Sequence, residues 1–153
     1  MESLDATDRQ ILNELQSDGR VSHAELAARV GLSTSACHRR VRRLEASGFI
    51  AGYVMIVNRK AIGRDLDVFV EVSLLSQSKE SLRLFESEVG DCPEVMSCHL
   101  VAGDADYLLH LAVKDHRDFE RIFNRYLSRF TGVSRLRSSF AIRTVHETTR
   151  HVL

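Results

Sequence analysis

The chain has 153 residues, 44% of them hydrophobic and 27% charged, and its formal charges cancel to zero. That balance fits a globular protein of one ordinary or two small domains, and it excludes capture of a polyanion or a membrane by overall charge. No apolar run approaches the roughly 18 residues of a spanning helix, the N-terminal Met1-Glu2-Ser3-Leu4-Asp5 lacks the plan of a secretory leader, and three irregularly spaced cysteines (Cys37, Cys92, Cys98) read as reduced thiols of a cytosolic protein.

In chain order, Asp5 is placed to cap a first helix, with Asp8 beside it at the positive end of the dipole. Ile11, Leu12 and Leu15 give that helix an apolar face, and Asp18-Gly19 ends it. Ser22-His23-Ala24-Glu25 matches a capping box for a short second helix whose inner face is Leu26, Ala27 and Val30. Gly31 suits a left-handed cap. Ser33 then caps a third helix running from Thr34 towards Gly48. Four arginines fall between Arg39 and Arg43 on it, while Cys37, Val41 and Leu44 form an apolar stripe. Two helices joined by a short glycine turn, the second with a basic outer face, predict a helix-turn-helix whose second member enters the major groove.

The outer face of the third helix carries the candidate DNA contacts. Arg39 and Arg42 are expected to read base edges, since a guanidinium bonds guanine O6 and N7 bidentately, and Ser35 lies near the helix N-terminus where such contacts occur. Ser33, Thr34, His38, Arg40 and Arg43 are expected on phosphates. Arg40 and Arg43 have an alternative, lying back on the protein surface. Cys37 reads as a small core residue.

After Gly48, residues 49–57 are rich in strand formers and read as an extended connector. The predicted division is a (winged) helix-turn-helix domain over 1–52, a connector over 53–64 and a second domain over 65–153. In the latter, strands are expected over 66–75, 95–102, 107–113 and 133–144. One helix is expected from a Ser78 cap to Val89, and another from an Asp115 cap to about Phe130. The order βαββαβ predicts an α+β, ferredoxin-like domain, with a four-stranded antiparallel sheet and both helices on one face. Phe69 on the other face suggests that this face is not left to water.

Between the second and third strands lies Gly103-Asp104-Ala105-Asp106. Read alone, it is a hairpin loop with glycine at positive φ and Asx bonds. Alternatively Asp104 or Asp106 meets an ammonium, and backbone N–H groups of the turn hold a carboxylate. Cys98 and His99 are adjacent and point to opposite strand faces, and no spacing motif joins His110 to His99 or Asp106, so no metal is expected. No catalytic constellation is apparent, and no enzyme activity is expected.

Taken over nearly its whole length, the chain resembles the leucine-responsive/asparagine-operon (Lrp/AsnC) family of feast-or-famine transcription regulators, most nearly its leucine-responsive branch. The carriers are Leu4-Asp5-Ala6-Thr7-Asp8-Arg9-Gln10-Ile11-Leu12, Val30-Gly31-Leu32-Ser33, the run from Val41 to Ile50, Gly52-Tyr53, and the run from Cys98 to Leu109. The resemblance implies a winged helix-turn-helix domain, and a RAM/ACT-like C-terminal domain whose sheets pack into dimers. It also implies octamers built as a tetramer of dimers, double-stranded DNA as partner, and a cytoplasmic, nucleoid-associated place in a bacterium or archaeon. A small amino acid is the implied effector, its identity open; no cofactor is implied. The implied effector residues are Gly103, Asp104, Asp106 and Tyr107 with Ser97, His99, Val101 and Ala102, and Ser138 and Ser139 as secondary contributors. Two alternatives remain open. One is a ligand-independent architectural DNA-binding protein. The other is a sirohaem decarboxylase-like enzyme, which needs a cationic pocket where Gly52-Tyr53-Val54-Met55-Ile56 is apolar.

Overall fold

The computed structural model describes residues 3–153. The first two residues of the expected 1–52 domain and of the N-terminal stretch lie outside the described residues. Two compact units form, one from the chain up to Ile56 together with His146–Leu153, the other from Val57–Val145.

The first unit holds three helices, α1 (Ala6–Ser17), α2 (His23–Arg29) and α3 (Thr34–Ala46). Each starts on a side-chain cap that satisfies an orphan backbone amide. Asp5 accepts the Asp8 N–H at 2.7 Å, while its own N–H donates to the Asp8 carboxylate at 3.3 Å. Ser22 and Glu25 make the same reciprocal pair at the head of α2. The three helices share a small core of Ile11, Leu12, Leu26, Ala27, Cys37, Val41 and Leu44. Residues 51–57 form no strand and leave Val54, Met55 and Ile56 exposed. The tail, which the sequence division placed in 65–153, joins this first unit. The Gln16 amide donates to the His151 carbonyl at 3.2 Å and accepts the His151 N–H at 2.6 Å.

The second unit is built on β1 (Leu66–Leu74), α4 (Lys79–Gly90), β2 (Val95–Leu100), β3 (Tyr107–Val113), α5 (His116–Arg125) and β4 (Val133–Phe140). The sheet order is β2-β3-β1-β4 and every neighbouring pair is antiparallel, which is the ferredoxin-like plan. Alternation along the strands sends Val68, Val70, Val72, Tyr107, Leu109, Leu111 and Val113 to the face covered by α4 and α5. There they meet Phe85, Val89, Phe119 and Ile122. The opposite face carries Phe69, stacked on His110 at 5.0 Å between ring centroids.

Four elements are shorter than their sequence patterns suggested. Strand β1 stops at Leu74, because a register shift at Ser73/Leu74 turns the chain and the Leu75 N–H donates to the Gly132 carbonyl. Strand β2 stops at Leu100, where the Val101 N–H donates to the Asp106 carbonyl and closes the hairpin loop. Strand β4 leaves the sheet after Phe140, which pairs with Val68, and the Ala141 N–H makes a last bond to the Asp67 carbonyl at 2.9 Å. Helix α5 ends at Arg125, because Tyr126 leaves helical backbone geometry. A 3₁₀ turn at Leu127–Arg129 follows and drives Leu127 and Phe130 into the core.

Candidate DNA-reading and effector sites

The DNA-reading candidate rests on how α2 hands over to α3. The Ser22 hydroxyl donates to the Glu25 carboxylate at 2.8 Å and accepts the Glu25 N–H at 3.2 Å; that hydroxyl, and then the Ser22 N–H, hold the Glu25 carboxyl below its usual range. Past α2, Gly31 takes φ +67°, a conformation costly for a residue with a Cβ. The Leu32 N–H then folds back onto the Ala27 carbonyl at 2.9 Å. Ser33 accepts the Ala36 N–H at 3.3 Å and starts α3. The turn 30–33 is thereby closed at both ends by local bonds.

On α3 the expected contacts divide into two sets. Thr34, Ser35, His38, Arg39 and Arg42 are exposed. Among the described residues, Arg39 and Arg42 make no ion pair, so their guanidinium groups have no competing carboxylate. The His38 ring lies edge-on to His23 of α2 at 4.9 Å. Ser33 spends its hydroxyl on the helix cap and lies 3.3 Å from the Ser35 hydroxyl. Arg40 and Arg43, expected on phosphates, face α1. Arg40 bonds Asp5 at 2.7 Å and Asp8 at 2.8 Å, and Arg43 bonds the other Asp8 oxygen. Asp8 is 1% exposed, so two cations and the Asp5 N–H compensate one buried charge. The Arg40 bond holds the Asp5 carboxyl below its usual range. The alternative reading, that these two arginines lie back on the protein, is the arrangement observed.

The second site is a cavity of about 410 Å³ at the end of the sheet where β2 turns into β3. Of the residues expected to hold an effector, Val101, Ala102, Gly103 and Asp104 line it. Gly103 has φ +147°, a conformation that residues with a Cβ rarely adopt. Asp106 does not line it: its carboxylate accepts the Leu74 N–H at 2.7 Å and the Gln77 amide at 2.6 Å, pinning the loop to β1. Tyr107 does not either. Its ring is buried against Phe85 in the core and its hydroxyl donates to Glu86 at 2.8 Å. Burial and then Glu86 push that phenol well above its usual range. Ser97 and His99 lie opposite His110 and Leu108, outside the cavity lining. Ser138 and Ser139 pair with Val70 and Phe69, also away from it.

Leu108, on the strand after the loop, also lines the cavity, and three further lining residues, Glu71, Arg135 and Arg137, come from strands that sequence reasoning did not connect to the loop. The only signal was the spacing of Arg135 and Arg137, which puts both on one strand face; their approach to Glu71 requires the β1–β4 register. At the other end of the same face, Arg59, His110 and Thr144 surround the buried Asp67 carboxylate. His110 is therefore joined to Asp67 and not to His99 or Asp106. Among the described residues, no three His, Cys, Asp or Glu side chains converge as a metal site requires. Burial pushes up the thiols of Cys37, Cys92 and Cys98, and none is in a disulfide.

Comparison with known proteins bears on both sites. Residues 4–51 match the winged helix-turn-helix DNA-binding family, and residues 67–151 match the Lrp/AsnC ligand binding domain. The chain belongs to the Lrp/AsnC family. Its relatives include the leucine-responsive regulatory protein of Klebsiella pneumoniae, 43% identical over 150 residues, which covers 98% of this chain and 92% of that one. Among solved structures, the transcriptional regulator NMB0573 of Neisseria meningitidis in complex with L-Met superposes with a TM-score of 0.91 at 35% identity, covering 96% of this chain and 95% of that one. An AsnC family transcriptional regulator from Agrobacterium tumefaciens gives 0.93 at 33% identity, covering 97% of each chain. Like these Lrp/AsnC proteins, the chain is a transcription regulator and not an enzyme. Among the described residues no helix is long and apolar enough to cross a membrane.

Proposed function

We propose that this Lrp/AsnC chain is a cytoplasmic, nucleoid-associated regulator that binds operator DNA as a dimer or higher oligomer and responds to a small amino acid. The observation that carries the DNA half is the division of charge on α3: Arg40 and Arg43 are held by Asp5 and Asp8, while Arg39 and Arg42 stand exposed and unpaired. In this reading Arg39 and Arg42 read base edges with Ser35 beside them. Thr34 and His38 meet phosphates, and Ser33 serves by holding the helix start. One helix in a chain of zero net charge binds weakly, so two copies must read together.

The helix-free face of the sheet, with Phe69 on His110, is the surface we assign to pairing of two copies. The cavity beside Gly103 and Asp104 is the assigned effector site. The complex of the Neisseria relative with L-Met supports an amino acid as the effector. The division of labour is then a DNA-reading unit over 1–52, a connector over 53–64, and an oligomerising, effector-binding unit over 65–145, with the tail from His146 on the first unit.

The test is Arg42→Ala. Losing one bidentate base contact per subunit is expected to weaken operator binding about tenfold or more, with the thermal midpoint unchanged. Unchanged operator affinity together with an unchanged salt slope, measured by fluorescence anisotropy, would refute the assignment of this face.

A further inference from the structure

The cavity beside the 101–105 loop carries four charged side chains: Glu71, Asp104, Arg135 and Arg137. Two of them satisfy each other. Glu71 and Arg137 sit opposite one another on β1 and β4, and their charged groups lie 3.7 Å apart. The other two have no such partner: among the described residues, neither Arg135 nor Asp104 forms an ion pair. Arg135 stands two positions from Arg137, so both side chains rise from the helix-free face of β4. Asp106, the other acid of the loop, is committed to Leu74 and Gln77.

The lining thus offers one uncommitted cation and one uncommitted anion around a space of about 410 Å³. An α-amino acid carries one charge of each sign in the complementary sense. We propose that Arg135 is the carboxylate anchor of this site and that Asp104 receives the ammonium group. A guanidinium matches a carboxylate by two parallel N–H···O bonds, which a single ammonium on a lysine does not reproduce. Val101 and Leu108 are the apolar surfaces left for the ligand side chain. This assignment rests on the effector reading above and adds to it a side chain from β4.

The experiment is calorimetric titration of the full chain. The twenty L-amino acids identify the tightest ligand, and that ligand is compared with its carboxamide, which keeps the ammonium and side chain but has no negative charge. The wild-type chain is expected to bind the acid at least tenfold more tightly than the amide. Arg135→Gln is expected to lose tenfold or more in affinity for the acid and to bind acid and amide alike; Arg135→Lys is expected to restore part of the preference. Collapse of the acid/amide ratio separates anchoring from any general disturbance of the fold, which would weaken both ligands together. An undiminished ratio in Arg135→Gln overturns the anchor and leaves the effector reading standing. Failure of the wild-type chain to bind any of the twenty overturns both.

Discussion

Replacing Asp8 with alanine removes the one buried charge that ties the first helix to the basic helix. In the intact chain one Asp8 oxygen receives Arg40 at 2.8 Å, and the other receives Arg43 and the Asp5 N–H. The Asp5 N–H loses its bond to the Asp8 carboxylate, which costs about 1 kcal/mol, while the Asp5 cap on the residue-8 N–H remains. A hydrogen bond to a charged group contributes about 1.5–3 kcal/mol when its partner stays buried. Here the side chains of Arg40 and Arg43 remain 29% and 45% exposed and regain water when Asp8 is gone, so the full penalty of an orphaned buried charge does not apply. The expected net loss is about 2–3 kcal/mol. For a unit of this size, about 1 kcal/mol moves the midpoint by roughly 4–8 °C, so the first unit should melt about 10 °C lower or more. Thermal unfolding of the full chain followed by far-ultraviolet circular dichroism measures this. Combining the change with Arg43→Ala in a double-mutant cycle should give a coupling of about 1 kcal/mol or more. A midpoint within about 2 °C of wild type, with no coupling, would refute the view that Asp8 fixes the basic helix to the fold.

Acid should destabilise the second unit through Asp67. Burial works against its ionisation, but Arg59 and His110 outweigh burial and hold its carboxyl below the usual range. A folded pKa below the unfolded value of 3.8 means that the contribution is fully present above that value and is lost as pH falls through the folded pKa. Asp118, held down first by the Lys114 N–H, acts in the same sense. Asp67→Asn should therefore lower stability at neutral pH and flatten the fall below about pH 4; an equally steep acid limb would contradict this. Tyr107→Phe keeps the packing against Phe85 but removes the bond to Glu86, and should cost about 1 kcal/mol in denaturant unfolding.

The first unit was legible because its signals are local. Ser22 with Glu25, Gly31, and Ser33 each act within a few residues, and a backbone amide satisfied three positions away does not depend on the rest of the fold. What joins α1 to α3 was not legible. Asp8 reads as a dipole partner at a helix start, and only the packing of the helices brings Arg40 and Arg43 to it. The effector loop fails for a different reason. Tyr107 shares strand parity with Leu109, Leu111 and Val113, so alternation alone points it inward, while family resemblance draws it to the loop. Asp106 reads as a free carboxylate until the turn after β1 presents the Leu74 N–H and Gln77. Arg135 was invisible as a site residue, because only the pairing of β4 with β1 carries it to a loop some thirty positions earlier in the chain.

If one chain couples an exposed arginine face to an amino-acid cavity, its hold on DNA must respond to an amino acid. The direct measurement is binding of the full chain to a DNA fragment selected from a random pool, by anisotropy and sedimentation, alone and with each of the twenty amino acids. A sequence-preferring complex is expected, with an affinity or stoichiometry that changes severalfold with at least one amino acid. A complex with no sequence preference, or one that all twenty leave unchanged, would contradict it.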